Sequence, residues 1–297
     1  MKFMNGNRKR YLTGIFFIAP ISIIIFTFLL LPILQTMYYS FTDWRGVGEY
    51  SFIGLKNYIN IFNDSSFKYS LLLTIYVGLS IAFLTNVIGL TFALVLDQAL
   101  KTKNILRTIL YLPNVIPIVV AAFVWRYILD YNNGLANKFF STFSSESIHI
   151  PWIDSPDYVV PTIIMISTWQ MIGPVMIVYL AALQGVPLDL IEAAKIDGAS
   201  KVKRFLNVTL PMIAPGITVN ILIGLANGIR IFDLPYALTG GGPAGASETL
   251  AIKIYRYAFQ STELSYGMAA SFIMTLVALV ITLLFVSLSR RYERNVM

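Results

Sequence analysis

The chain has 297 residues, of which 57% are hydrophobic and only 12% are charged, about half of the roughly 25% found in soluble domains. This composition excludes a soluble globular protein and is typical of a membrane protein. The formal net charge is +7, so the positions of the basic residues have to be considered. The sequence contains no cysteine and one histidine, His149, which excludes disulfides, thiolate metal ligands and a histidine cluster. We therefore expect no metal site in this chain.

Charge-free segments locate the membrane-spanning helices. Six segments without Asp, Glu, Lys or Arg reach the length of about 18 residues that suggests a span, and they cover residues 11–42, 69–96, 108–125, 158–188, 205–229 and 264–289. We predict helices over about 12–36, 69–96, 106–129, 158–183, 212–236 and 266–288, with a kink in the third at Pro113 and Pro117. The predicted fold class is an all-α integral membrane protein with six transmembrane helices.

The basic residues give the predicted orientation. With the N-terminus inside, fourteen of the 22 basic residues fall in cytoplasmic segments, before residue 11, within 97–107, within 184–211 and after residue 289. This positive-inside bias predicts cytoplasmic N- and C-termini and argues against a nucleic-acid patch. We expect a cytoplasmic segment at 1–10, one six-helix transmembrane domain at 11–290 and a cytoplasmic tail at 291–297. The first apolar run is too long for a cleaved signal peptide.

Two loops carry further expectations. The cytoplasmic segment 184–211 is predicted to form two short helices, the first capped by Asp189 with Glu192 three residues on, and the second capped by Ser200. Gly198 lies where a left-handed residue would end the first helix. Such a helix, partly apolar and held outside the membrane, suits a groove on a cytoplasmic partner. On the other side, the segment 248–260 is expected to lie along the outer surface.

The cytoplasmic segment resembles the EAA loop of inner-membrane permease subunits of binding-protein-dependent ABC importers. The resemblance is carried by Glu192-Ala193-Ala194, Asp197-Gly198-Ala199, Phe205, Leu210-Pro211 and Pro215. Further motifs resemble the maltose-type carbohydrate-uptake branch of that family: Ser40-Phe41-Thr42-Asp43-Trp44, Gly54-Leu55-Lys56-Asn57-Tyr58, Leu112-Pro113 with Pro117, Trp169, and Leu238-Thr239-Gly240-Gly241-Gly242-Pro243. This resemblance implies the type I importer permease fold and a multi-pass protein of a bacterial or archaeal inner membrane.

The resemblance also implies a coupling site and a set of partners. It makes Glu192 the residue that pairs with a basic residue of an ATPase subunit, alongside Ala193, Ala194, Asp197, Gly198, Ala199 and Phe205. An alternative role for Glu192 is to complete the cap of its own helix. The implied partners are a second permease, usually a different chain, two ATPase subunits or domains that bind ATP and Mg, and an extracytoplasmic solute-binding protein. This chain has no GxxxxGK[ST] loop, so we expect a transport subunit without cofactor or catalytic site.

Amides and hydroxyls inside the spans indicate the substrate class. Asn and Gln both donate and accept hydrogen bonds and aromatic rings offer flat apolar faces, so the predicted solute is a neutral sugar or polyol. The resemblance places substrate contacts at Asn114, Ser167, Trp169, Gln170, Met171, Gly224, Asn227 and Gly228. The alternatives are interhelical hydrogen bonds for the amides and helix packing for the glycines.

Two pairs of oppositely charged residues are compatible with a substrate other than a neutral sugar. Arg230 with Asp233, and Arg126 with Asp130, are expected to form ion pairs, or else an arginine attracts an anionic solute such as a glycerophosphate. An ion-coupled secondary transporter is a further alternative, but it needs charged residues near the bilayer midplane, where this sequence has almost none. An intramembrane enzyme is the last alternative, and it is disfavoured because the sequence has one histidine, no cysteine and no clustered carboxylates within the spans.

Overall fold

A computed structural model describes residues 14, 16–98, 100–144 and 147–296; the predicted segment 1–10 lies outside them. Over these residues the fold is helical, with one isolated antiparallel bridge between Thr42 and Phe52. The helices in chain order are α1 (Phe16–Tyr39), α2 (Lys56–Asn63), α3 (Ser65–Leu96), α4 (Lys103–Val115), α5 (Ile118–Ile128), α6 (Leu135–Thr142), α7 (Pro156–Gln184), α8 (Leu188–Ile196), α9 (Lys201–Met212), α10 (Ala214–Ile229), α11 (Asp233–Thr239), α12 (Leu250–Tyr255) and α13 (Leu264–Val296).

The helices long and apolar enough to cross a membrane agree with the predicted spans. Four of them are continuous, namely α1, α3, α7 and α13. Two further candidates are bent pairs, α4 with α5 at 98° and α9 with α10 at 68°. Counting each pair as one span gives 6 in the described residues, the predicted number, while the orientation of the termini stays a prediction.

The prolines explain the sharpest bend. Pro117 has no backbone N–H to donate, and the residue before a proline is pushed out of the helical region. Ile116 accordingly has ψ 125°, so α4 ends and α5 begins at a break rather than at the expected kink. The predicted fifth span was too long, because α10 ends at Ile229 and α11 begins only at Asp233.

The chain divides into two compact units. The first contains the described residues up to Ser65 together with Ile254–Thr275. In it, Nδ2 of Asn57 donates to the carbonyl oxygens of Ser40 and Thr42 at 2.9 and 2.8 Å, and the hydroxyls of Tyr58 and Ser40 lie 2.6 Å apart. The two motifs at 40–44 and 54–58 are therefore joined by buried hydrogen bonds.

The second unit contains Ser66–Lys253 and the described residues from Leu276 onward. Its helices α3, α5, α7 and α11 meet in one apolar cluster, and the ends of α3 and α7 meet in another. At the crossing of α3 and α10, a Cβ on Gly228 would lie 2.4 Å from the Cα of Gly78. Since no real Cβ approaches that closely, this contact requires glycine and supports helix packing, the alternative to substrate contact at Gly228.

The segment after the glycine-rich turn differs from expectation. Its first part does not lie along the surface, because Leu250, Ile252 and Lys253 are buried, whereas Phe259 near its end is 69% exposed. The ammonium of Lys253 lies 2.7 Å from a carboxylate oxygen of Glu248, which is also buried. Pairing lets this lysine enter the protein interior, since a buried charge needs an opposite charge close by.

Candidate functional site

The cytoplasmic segment forms the two predicted helices, α8 and α9. Gly198 between them has φ +76°, which confirms the left-handed turn, and the hydroxyl of Ser200 accepts a hydrogen bond from the Lys203 N–H at 3.4 Å, which confirms the second cap. The expected cap at Asp189 was wrong. Pro187 precedes α8 with φ −59°, and no side chain caps that helix, so Asp189 lies in its first turn near the positive end of the helix dipole.

The predicted coupling residues lie on an exposed helix and turn. Glu192, Ala193, Asp197 and Gly198 are exposed, and Ala194, Ala199 and Phe205 are partly buried. The alternative in which Glu192 completes its own helix cap is not found, because α8 has no side-chain cap. Ile196 is 87% exposed and Leu188 is 72% exposed, so apolar side chains flank the free carboxylate.

Within the second unit, Ile191 connects this segment to the rest of the fold, because it packs against the apolar cluster formed by the ends of α3 and α7. α8 follows α7 after a short link, since α7 ends at Gln184 and α8 begins at Leu188. α8 is therefore joined to the end of α7 both by this short link and by the packing of Ile191, and α7 carries several of the predicted substrate contacts.

Those contacts meet at a cavity of about 530 Å³ in the second unit. It is bounded by the break between α4 and α5, by the middle of α7 and by the segment that joins α10 to α11. Six of the eight residues predicted to contact substrate line it: Asn114, Ser167, Gln170, Met171, Asn227 and Gly228.

The other two predicted contacts lie elsewhere. Trp169 lines a separate cavity of about 510 Å³ between α3 and α7, and its ring centroid lies 5.4 Å from that of Trp125. Ser167, Gln170 and Met171 share a helix face at spacings of three and four residues, whereas Trp169 is turned away from that face. Gly224 packs against Ala82, whose Cα would lie 3.0 Å from an added Cβ, so packing explains this glycine.

The polar side chains at and near the cavity differ in whether they have hydrogen-bond partners within the protein. The Oγ of Ser167 is buried and has no hydrogen-bond partner in the described residues. In contrast, Nε2 of Gln170 donates to the carbonyl oxygen of Ile116 at 2.9 Å. Asn220 lies two helical turns before Asn227, and its Nδ2 donates to the carbonyl oxygen of Val175. This bond is the interhelical hydrogen bond given as the alternative for the amides. The cavity therefore offers at least one buried hydroxyl to a ligand.

The expected ion pairs do not form in the described part of the chain. Arg230 and Asp233 both line the cavity, but the first follows the end of α10 and the second begins α11. The break between the helices removes the one-turn geometry on which the pairing was predicted. Asp130 instead accepts hydrogen bonds from the N–H groups of Asn132 and Asn133, so it shapes a turn.

Part of the cavity lining was not predicted from the sequence. Ile231, Phe232 and Leu234 contribute apolar surface, and they were expected inside a continuous fifth span. Two charges only three residues apart, at Arg230 and Asp233, were the available signal that the span had ended. Over the residues that the structure describes, no group of three His, Cys, Asp or Glu side chains could hold a metal ion.

Comparison with known proteins decides the family. Residues 85–297 match the family described as binding-protein-dependent transport system inner membrane component. The chain belongs to this family. It is therefore a membrane transport component of the ABC importer class and has no catalytic activity of its own. Its multi-pass location in the membrane follows from the same membership and from its apolar helices.

Curated relatives match this permease along nearly its whole length. The "Probable starch degradation products transport system permease protein AmyD" of Thermoanaerobacterium thermosulfurigenes is 36% identical and aligns over 93% of this chain and 94% of its own. The "Trehalose/maltose transport system permease protein MalF" of Thermococcus litoralis is 31% identical over 93% of both chains. The "sn-glycerol-3-phosphate transport system permease protein UgpA" of Salmonella choleraesuis is 30% identical over 93% and 92%.

A solved structure confirms the fold of the permease. A bacterial ABC transporter involved in the import of the acidic polysaccharide alginate contains a chain with a TM-score of 0.84 and 24% identity, matched over 98% of this chain and 99% of that one. The predicted ABC importer permease fold is therefore confirmed.

Proposed function

We propose that this permease passes a neutral sugar, an oligosaccharide or related polyol, from an extracytoplasmic binding protein into the cytoplasm. The observation that carries the proposal is the cavity beside the α4–α5 break, where a buried hydroxyl without a partner lies among amides and apolar side chains. Sugars present both hydroxyls and apolar ring faces, and these groups can satisfy both kinds of lining. The sugar-related names of AmyD and MalF support the same class.

The dimensions and charge of the cavity agree with this substrate class. Its volume of about 530 Å³ lies within the range of about 300–1,000 Å³ that is usual for small-molecule sites. Arg230 and Asp233 contribute one charge of each sign, so the lining is neutral overall. A second permease, which the family implies, would complete the translocation path beside this cavity.

Coupling to ATP is proposed to run through α8. Glu192 is exposed and carries no ion pair in the described residues, so its carboxylate is available to a basic residue of an ATPase subunit. That subunit would hold ATP and Mg and supply the hydrolysis. Closure of two such subunits would displace α8, and the short link and Ile191 would transmit the displacement to α7 and the cavity.

The proposal is tested in the complex reconstituted with its second permease, ATPase subunits and binding protein. Glu192→Lys is expected to abolish sugar-stimulated ATP hydrolysis, because it replaces the pairing carboxylate with a like charge. Asp189→Lys is the matched control: it makes the same charge change on the same exposed helix and should retain most of the stimulation. Normal stimulation in Glu192→Lys would overturn the coupling role.

A second candidate substrate is an anionic solute of the glycerophosphate type. Arg230 lines the cavity without an ion pair in the described part of the chain, and UgpA carries such a solute in its name. Asp233 in the same lining disfavours an anion. Comparison of Arg230→Gln with the unsubstituted permease separates the two. If the unsubstituted permease takes up phosphorylated solutes and the variant loses only that uptake, the substrate is the anion. If neither protein takes up phosphorylated solutes and both take up neutral sugars equally, the substrate is the sugar.

A further inference from the structure

The short helix α6 is held firmly on one side. Asn137 is 3% exposed, and its Nδ2 donates to the carbonyl oxygens of Tyr131 and Ile150, both at 3.1 Å. Its Oδ1 accepts hydrogen bonds from the Ile150 N–H at 3.2 Å and from Nε1 of Trp152 at 2.9 Å. This side chain therefore makes all the hydrogen bonds that an amide can make, and it fixes the orientation of α6 against the segments that precede and follow it.

The other side of α6 is a row of uncovered apolar side chains. Leu135, Phe139 and Phe143 follow one another at intervals of four residues, so they lie along one face, and they are 56%, 61% and 78% exposed. The rings of Phe139 and Phe143 lie 5.2 Å apart in an edge-to-face arrangement. We call these three residues the α6 stripe. Because Asn137 holds the helix, the stripe cannot turn inward to escape water.

The position of α6 in the chain indicates what covers the stripe. α6 lies between the end of α5 at Ile128 and the start of α7 at Pro156, and both helices belong to candidate membrane spans. Exposed Tyr127 and Tyr158 lie at those two ends, where aromatic residues mark the boundary between hydrocarbon and water. The stripe therefore lies in a connection whose two ends both enter candidate membrane spans.

We propose that α6 lies in the membrane interface, on the side of the bilayer opposite to α8, with the α6 stripe inserted at the boundary between headgroups and acyl chains. Lys138 is exposed beside the stripe and reaches the headgroup phosphates, as lysines of interfacial helices do. The bilayer covers the stripe permanently. A binding protein that docks and leaves would return these phenylalanines to water in every cycle.

This placement has a consequence for the cavity. α6 joins α5, which begins at the cavity wall, to α7, which carries Ser167 and Gln170. An interfacial helix in that connection fixes the depth of both helices relative to the bilayer, so that the break at Pro117 and the face of α7 stay at one level.

Spin labelling tests the proposal directly, because the chain contains no cysteine and each introduced one is unique in it. Phe139→Cys and Phe143→Cys are labelled in the reconstituted complex in nanodiscs, with Asn133→Cys on the exposed preceding turn as the control. Collision rates with oxygen and with a water-soluble nickel chelate report depth. In the absence of binding protein, we expect the labels at positions 139 and 143 to collide severalfold less often with the nickel chelate than the label at position 133. We expect them to collide more often with oxygen, which concentrates in the acyl chains.

Two outcomes would overturn the proposal. If labels at 139 and 143 collide with nickel as freely as the label at 133, the stripe lies in water. If they become protected only when the binding protein is added, the stripe is a protein-docking surface. ATP hydrolysis by each labelled complex verifies that the variant has folded, and a Leu135→Cys label supplies a third position on the stripe should either phenylalanine variant fail to assemble.

Discussion

Nε2 of Gln170 on α7 donates a hydrogen bond of 2.9 Å to the carbonyl oxygen of Ile116, the residue at which α4 breaks before Pro117. The break removes the helical partner of this carbonyl, and the glutamine replaces it from the neighbouring span. Gln170 also lines the cavity. One side chain therefore makes the interhelical hydrogen bond that was the alternative for this amide and also lines the cavity.

Gln170→Met should destabilise the permease by about 1–3 kcal/mol, because it leaves the Ile116 carbonyl without a partner in a low-dielectric setting. The measurement is thermal unfolding of the purified complex in detergent. Ser167→Ala is the control from the same helix face. Unfolding of Gln170→Met at the same temperature as the control would show that the bond does not hold the break.

Ser167→Ala should behave in the opposite way. Its Oγ has no partner in the described residues, so its removal costs the folded protein nothing and relieves an unsatisfied hydroxyl. If a sugar hydroxyl bonds to it, loss of one such bond, worth about 0.5–1.5 kcal/mol, should weaken apparent substrate affinity by about two- to tenfold. Concentration dependence of uptake measures this, and an unchanged half-saturation concentration would remove Ser167 from the substrate contacts.

Gly198→Ala should strain the turn between α8 and α9. The residue has φ +76°, and a Cβ in the left-handed region costs roughly 1–2 kcal/mol. We expect reduced coupling, seen as less transport per ATP hydrolysed. Gly185→Ala, where φ is −81°, introduces the same methyl group without this strain and should leave the ratio intact. Equal effects of the two substitutions would contradict the role of the turn.

Gly228→Ala should force α3 and α10 apart, because the added Cβ would lie 2.4 Å from the Cα of Gly78. Overpacking costs about 1–3 kcal/mol where side chains can yield, and backbone yields less, so we expect poor accumulation of the folded complex. Ala226→Val enlarges an exposed residue of the same helix and should accumulate normally. Fluorescence-detected size-exclusion chromatography compares the two, and normal yield of Gly228→Ala would refute the close contact.

Much of the fold could be predicted because its signal is local. Charge-free length identified the spans, and Ser200 and Gly198 gave the turn after α8 through their own backbone chemistry. Asp189 was misassigned because Pro187 already supplies the backbone geometry that begins α8. The fifth span was overextended because Arg230 and Asp233, which end the charge-free segment at 229, were interpreted as an ion pair inside the span.

The candidate site depended on contacts between distant segments. Six predicted substrate residues met at one cavity, because the α7 positions shared a helix face and Asn114 preceded Pro117. Trp169 did not join them, although its rotation away from that face was readable from the helical period. The bond from Gln170 to Ile116 was not predictable, since it requires the angle of the break and the position of α7 together.

ATP hydrolysis is expected to drive a neutral sugar through this permease. The most direct measurement is uptake of labelled oligosaccharides into proteoliposomes that contain the complete complex, with binding protein on one side and ATP on the ATPase side. We predict uptake that requires ATP and the binding protein and that Glu192→Lys abolishes. Uptake that an ion gradient drives without ATP, or that Glu192→Lys leaves unchanged, would contradict ATP-driven transport through this permease.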